Sequence, residues 1–330
     1  MVHARAMPRT RLPAAALLCS SALVLGSCGD AERDDAGDAG SDGDGGITVV
    51  ASFYPLEYAV ERVAGDHVET VTLTDPGVDP HDLEMSPEDV ATVQGADVVL
   101  YSSGLQAAVD DAVGAQAGDS AFDVNEAADL VETGSEDEHA DEEEGHSEDE
   151  EGHDDHGGVD PHFWLDPQRY AGVAEAIAEE LAEADPDNAE DYRANAADFV
   201  AELEELDEEF ATGLAECEQT SMVTTHAAFG YISTKHGLEQ VGITGLSPEA
   251  EPSPARMAEV TEIVEDNGVD TIYSEVLLGA ELADTIANET GAEVLLLDPI
   301  EGITDESAGE DYLEVMRANL ETLRSGQGCR

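Results

Sequence analysis

The sequence predicts an α/β protein of two lobes, each with a mainly parallel sheet flanked by helices, joined by one long rigid helix. Three observations carry this reading. Short apolar runs alternate with amphipathic segments through residues 47–101 and again through 221–297, the pattern of a parallel sheet with helical crossovers. Between these halves, Tyr192, Phe199, Leu203, Leu206, Phe210 and Leu214 recur at three, four and seven residue spacings, which makes one apolar stripe on a helix over 186–216. Finally, 330 residues with 41% hydrophobic content suffice for two cores of ordinary size.

Taken in order, "ITVVASF" (47–53) reads as a buried strand, 55–65 as a helix and "HVETVTLT" (67–74) as a strand. Ser86 then opens a helix as N-cap, with Pro87 in its first turn and Asp89 at the capping-box position, before the strand "ADVVLY". Residues 167–184 form a further helix. The second half runs through strands at 221–225, 240–244, 271–276 and 292–297, separated by helices at 227–236, 254–267 and 279–290, with a last helix from about 307. The expected domains are an N-terminal lobe over 47–184, a connecting helix over 185–216 and a C-terminal lobe over 217–330.

The flanks are not part of these lobes. Residues 1–27 carry Arg5, Arg9 and Arg11 ahead of a short apolar run and read as an export signal. "LGSC" at its end resembles the lipobox of bacterial lipoproteins, with Cys28 the residue to be acylated, so the protein is expected outside the cytoplasm and held to the membrane only by a lipid anchor. Residues 28–46 are rich in Gly and Asp and read as a flexible tether. Residues 134–158, with four histidines among carboxylates and several glycines, have no periodicity and read as a disordered loop. With Cys19 in the signal and Cys28 lipidated, Cys217 and Cys329 remain as one pair in an oxidising compartment, and a disulfide is expected.

Twelve Lys and Arg face 78 Asp and Glu, a formal net charge of −66. Charge-driven binding to nucleic acid or to an anionic membrane surface is thereby excluded, and cations are the natural ligands. Outside the signal and the loop the histidines are His67, His81, His162, His226 and His236. His81 lies in a Pro- and Asp-rich loop after the 67–74 strand, His162 stands just before a helix, and His226 ends the 221–225 strand. Asp298 ends the 292–297 strand, and ligands of open α/β sheets gather at such strand ends. Three imidazoles and a carboxylate suit tetrahedral zinc, whereas His67 and His236 lack this context and read as structural.

The stretches "ASFYPLEYAVERVAGD", "GVDPHDLEMSP", "DPHFWLDP", "TTHAAFGYISTKHGL", "GLSPEAEPSP" and "LLLDPIEG" resemble, in order, the signatures of the zinc and manganese solute-binding lipoproteins of ABC transporters, the ZnuA-like family. The resemblance spans nearly all of residues 47–324. It implies two α/β lobes on one long helix with the metal between them, held by His81, His162 and His226 with Asp298 fourth; Glu84, Glu301 or water are the alternatives for the fourth place. It also implies that the loop histidines His139, His146, His153 and His156 form weak, exchangeable metal sites that gather or sense metal.

The implied function is capture of zinc outside the membrane and delivery to an ABC transporter permease by a monomer, with manganese as the alternative ion. A metal-buffering surface lipoprotein or adhesin is a second reading. A zinc hydrolase is a third, since a zinc with an open position activates water, but no HExxH is present and only Glu84 offers a general base.

Overall fold

The computed structural model describes residues 46–131, 159–248 and 250–330. The signal, nearly all of the tether with Cys28, and the loop histidines His139, His146, His153 and His156 lie outside the described residues. In the first half, β1 (Thr48–Ala51), β2 (Glu69–Thr72), β3 (Val98–Tyr101) and β4 (Ala121–Asp123) alternate with α1 (Tyr54–Ala64), α2 (Pro87–Gly95) and α3 (Ala107–Ala112), and α4 (Asn125–Ala128) follows β4. Two long helices come next, α5 (Pro167–Ala184) and α6 (Ala189–Gly213). In the second half, β5 (Ser221–Thr224), β6 (Glu239–Gly242), β7 (Thr271–Ser274) and β8 (Glu293–Leu296) alternate with α7 (Gly230–His236), α8 (Pro254–Asn267) and α9 (Glu281–Thr290), and α10 (Tyr312–Gly326) closes the chain. Both sheets are wholly parallel, with orders β2-β1-β3-β4 and β6-β5-β7-β8. The second half thus repeats the topology of the first.

Local chemistry explains most element ends. Ser86 Oγ accepts from the Glu88 and Asp89 amides, while Asp89 Oδ2 accepts from the Ser86 amide at 2.7 Å, the reciprocal box expected from the sequence. The connecting helix is shorter than expected, 189–213 against 186–216. Asp185 Oδ2 takes the Asn188 side-chain amide and the Tyr192 hydroxyl, which holds residues 185–188 as a turn ahead of the first helical residue. At 25 residues α6 is about 37 Å long. The last helix begins at 312 and not near 307, because Asp311 is its N-cap and accepts from the Glu314 amide. β4 had no sequence signal: it is three residues long and only half-buried.

The two halves share one apolar cluster. Tyr58 of α1, Tyr170 of α5, Phe199 of α6 and Tyr312 of α10 meet with ring centroids 4.8–5.7 Å apart. Phe53 and Trp164 meet edge-on at 5.1 Å next to them. Such pairs add about 0.5–1.5 kcal/mol each beyond the area they bury. Lys235 of α7 donates to Asp166, the N-cap of α5, at 2.7 Å and to Asp207 of α6 at 2.5 Å. Cys217 and Cys329 are disulfide-bonded, as the cysteine count predicts, tying the end of α6 to the residues after α10.

Candidate metal centre

Four side chains from four separate segments converge between the sheets' carboxyl ends: His81, His162, His226 and Glu301, with one ligand atom of each within 4.8 Å of all the others. His81 sits in a short 3-10 turn after β2, where Asp79 Oδ1 accepts its amide at 2.8 Å. His162 immediately precedes the 3-10 turn Phe163–Leu165, whose Trp164 lies 5.3 Å from the His162 ring and donates its indole N–H to the Pro299 carbonyl at 2.7 Å. His226 follows β5. Its amide donates to Glu275 Oε1 at 3.0 Å, and its carbonyl, which would accept the first bond of a helix begun at 227, accepts instead from Thr224 Oγ1 at 2.6 Å and Gln240 Nε2 at 3.2 Å; α7 starts at residue 230, three residues later than the sequence reading placed it.

Second partners fix which ring nitrogen faces the centre. His162 Nδ1 lies 2.8 Å from Asp160 Oδ1, and His226 Nδ1 lies 2.5 Å from Glu275 Oε2. A carboxylate accepts only, so each Nδ1 carries a proton toward its carboxylate, and Nε2 is the atom left to face the centre. Those two Nε2 atoms are 3.4 Å apart. Glu301 Oε1 is 3.1 Å from His81 Nε2, 3.4 Å from His162 Nε2 and 3.6 Å from His226 Nε2. A tetrahedral zinc with bonds of 2.0–2.1 Å has ligand atoms about 3.3–3.4 Å apart along each edge. Four of the six edges of such a tetrahedron are therefore already present. His162, His226 and Glu301 are buried and His81 is nearly so.

The electrostatics are those of a site that holds positive charge. Burial alone would lower the His226 pKa, but Glu275 and Glu301 outweigh it and push it up to about 10. Burial likewise works against the charged form of His162, and the bonds to Asp160 and Glu301 reverse it, raising the ring above its ordinary value. Burial would raise Glu301, yet its bonds to His162, His226 and His81 hold it well below the usual carboxylate range.

For the fourth position the sequence put Asp298 first, with Glu84, Glu301 or water as alternatives; in the structure Glu301 is the carboxylate that lies among the three imidazoles. Asp298 Oδ1 accepts the Ile300 amide at 2.8 Å, and its backbone is held by Asn319. Ile300 then adopts φ +57°, a left-handed conformation that β-branched residues rarely take, and this turn swings Glu301 back into the site. Glu84 is outside the cluster and lines a separate surface pocket with Asp75, Asp82 and Asp89. His67 pairs with Asp191 at 3.3 Å, and His236 packs near Phe210. The signals that sequence reasoning missed are Asp160 in "VDPHF" and Glu275 in "YSEV", the two carboxylates that orient ligand rings. A cleft of about 980 Å³ lies between Pro76, Gly77, Val276, Leu277 and the 303–310 loop and includes none of the four clustered side chains.

Comparison with known proteins places the chain in a family. The family described as "Zinc-uptake complex component A periplasmic" matches residues 49–326. The zinc-binding protein AdcA of Streptococcus pyogenes serotype M3 is 35% identical over 288 residues, 85% of this chain and 56% of that protein. The chain thus spans little more than half the length of that relative. It covers 93% of the high-affinity zinc uptake system protein ZnuA of Bacillus subtilis (strain 168), to which it is 36% identical over 92% of its own length. Among solved structures, the laminin-binding protein Lmb of Streptococcus agalactiae, described as bifunctional with adhesin and metal transporting activity, superposes with a TM-score of 0.73 at 32% identity, covering 86% of this chain and all of that one.

Proposed function

The chain belongs to the zinc-uptake complex component A family, and on that premise we propose that it captures zinc outside the cytoplasm and hands it to an ABC transporter permease. The observation that carries this is the closed donor set. Three imidazole nitrogens and one carboxylate oxygen, all from the protein and all from one chain, lie within 4.8 Å of one another, with four of their six separations near the edge of a zinc-sized tetrahedron. A hydrolytic zinc keeps one corner for water, whereas here Glu301 fills it. The nitrogen-rich set also favours zinc over manganese, which takes more oxygen donors. His81, His162, His226 and Glu301 are the ligands in this reading. Acylation of Cys28 would hold the protein at the outer face of the membrane, and a single copy suffices.

The test has two arms. Protein purified without added metal and titrated against a competing chelator is expected to bind one zinc tightly, with manganese far weaker. A strain lacking the gene is expected to lose high-affinity zinc uptake. Unchanged uptake alongside tight zinc binding would point to a surface buffer or adhesin instead. The adhesin reading has its own support in the likeness to Lmb, and laminin binding by the purified protein would favour it.

A further inference from the structure

The rings of His162 and His226 are each steered by a carboxylate, and the residue that carries one of these, Asp160, is held through its backbone from the other half of the chain. Asp160 Oδ1 accepts both the amide of His162 at 3.0 Å and its Nδ1 proton at 2.8 Å. The backbone carbonyl of Asp160 in turn accepts the Tyr231 hydroxyl proton at 2.7 Å. Tyr231 belongs to α7, in the second half, five residues after His226. The same hydroxyl accepts the Val131 amide at 3.2 Å, and the Asp160 amide reaches the Val131 carbonyl at 3.3 Å, so Val131 and Asp160 are fastened to one oxygen. The seat is tight. A Cβ at Gly230 would lie 2.7 Å from Asp160 Oδ2, and the guanidinium of Arg169 covers the Tyr231 ring at 4.6 Å while one of its nitrogens donates to the Ala128 carbonyl. Tyr231 and Asp160 are both buried.

We propose that Tyr231 is a positioning residue for the metal centre: through Asp160 it sets the orientation of His162, so that this ligand is correctly aimed only when α7 of the second half is docked. The relay runs from the Tyr231 hydroxyl to the Asp160 backbone and from the Asp160 carboxylate to His162 Nδ1. A ring free to rotate about its own bonds presents Nε2 to the metal only part of the time. Outer partners that remove this freedom are worth about 10–100-fold in metal affinity. Gly230 has no side chain at the point where one would displace the Asp160 carboxylate. Arg169 keeps the phenol ring in place without touching the hydroxyl's partners, which makes the hydroxyl removable by itself.

This inference rests on the zinc-capture reading, and the experiment separates the two. Zinc affinity by chelator competition, and the imidazole N–H resonance of His162 in zinc-loaded protein, would be measured for wild type, Tyr231→Phe, Asp160→Asn and the double variant. Tyr192→Phe is the control: it deletes a hydroxyl bonded to Asp185 at 2.7 Å, remote from the centre. Expected are roughly tenfold weaker zinc in Tyr231→Phe, faster solvent exchange of the His162 N–H, and no change in either for Tyr192→Phe. Because both variants cut one relay, the double variant is expected to lose less than the product of the two single losses. Independent losses in the double variant, or affinity and resonance in Tyr231→Phe matching those of Tyr192→Phe, would overturn the proposal. Wild-type protein that takes up no zinc would instead remove the zinc-capture reading itself.

Discussion

Glu301 reaches the metal centre because Ile300, a buried β-branched residue, is held at positive φ, a conformation that costs on the order of 1–3 kcal/mol. Asp298 stabilises that turn by accepting the Ile300 amide, so the two carboxylates of "LLLDPIEG" divide the work: one shapes the backbone and the other binds. Glu301→Gln is accordingly expected to weaken zinc beyond the roughly 10–100-fold that outer partners cost. Asp298→Asn, which keeps an accepting oxygen, is expected to change affinity by only a few fold; chelator competition on both variants checks this, and a larger loss in Asp298→Asn would reverse the assignment. The three histidines were legible because each stands where a strand or helix ends. The strand-end rule could not bring Glu301 forward over Asp298 because it knows nothing of a residue's φ, and a left-handed Ile is not a conformation that sequence favours.

The raised His226 pKa has a pH consequence of definite sign. Its folded value of about 10 lies above the ordinary imidazole value, so the proton on His226 stabilises the fold fully below about pH 6.5, a contribution lost as pH rises toward 10. Zinc takes the place of that proton. Binding at pH 7 is therefore expected to release protons, and apparent zinc affinity to rise with pH through that range. Calorimetry in buffers of different ionisation enthalpy reads the release directly. A buffer-independent enthalpy would show that His226 is already neutral.

Among elements, α7 is the piece on which most of the site's geometry converges. It starts late because the His226 carbonyl is taken by the side chains of Thr224 and Gln240, its Tyr231 holds Asp160, and its Lys235 joins α5 and α6 through Asp166 and Asp207. Lys235→Ala leaves two partly buried carboxylates without their shared cation, at an expected cost of about 2 kcal/mol read from chemical denaturation. Deleting residues 136–157 is expected to leave the one-to-one zinc site intact, because every ligand and both orienting carboxylates lie outside that stretch; loss of tight zinc would place the site elsewhere. Periodicity disclosed the long helices and the strands of both sheets well, since their apolar faces repeat. It was silent on β4 and wrong by several residues at the start of α7 and α10, where side-chain bonds and not hydrophobic pattern decide the first helical residue.

On the scale of the whole molecule, two parallel sheets of matching strand order are held around one aromatic junction, and the segment leading into β5 is fastened to the residues after α10 by Cys217–Cys329. The bridge closes a loop of 112 residues, for which the chain-entropy description gives about 4–5 kcal/mol. Reduction is expected to lower the melting temperature while leaving zinc stoichiometry at one, since neither cysteine is among the ligands; thermal scans with and without reductant, in the presence of zinc, check both. The tally of 78 acidic against 12 basic residues attracts cations to the whole surface, but among the described residues it is the buried cluster of three imidazoles and Glu301 that has the geometry to select one. The most direct measurement is X-ray absorption at the zinc edge on protein loaded with one equivalent of zinc. Three imidazole nitrogens and one carboxylate oxygen at about 2.0–2.1 Å are expected; fewer than three imidazoles, a sulfur ligand, or a shell completed by water in place of the carboxylate would contradict the assigned centre.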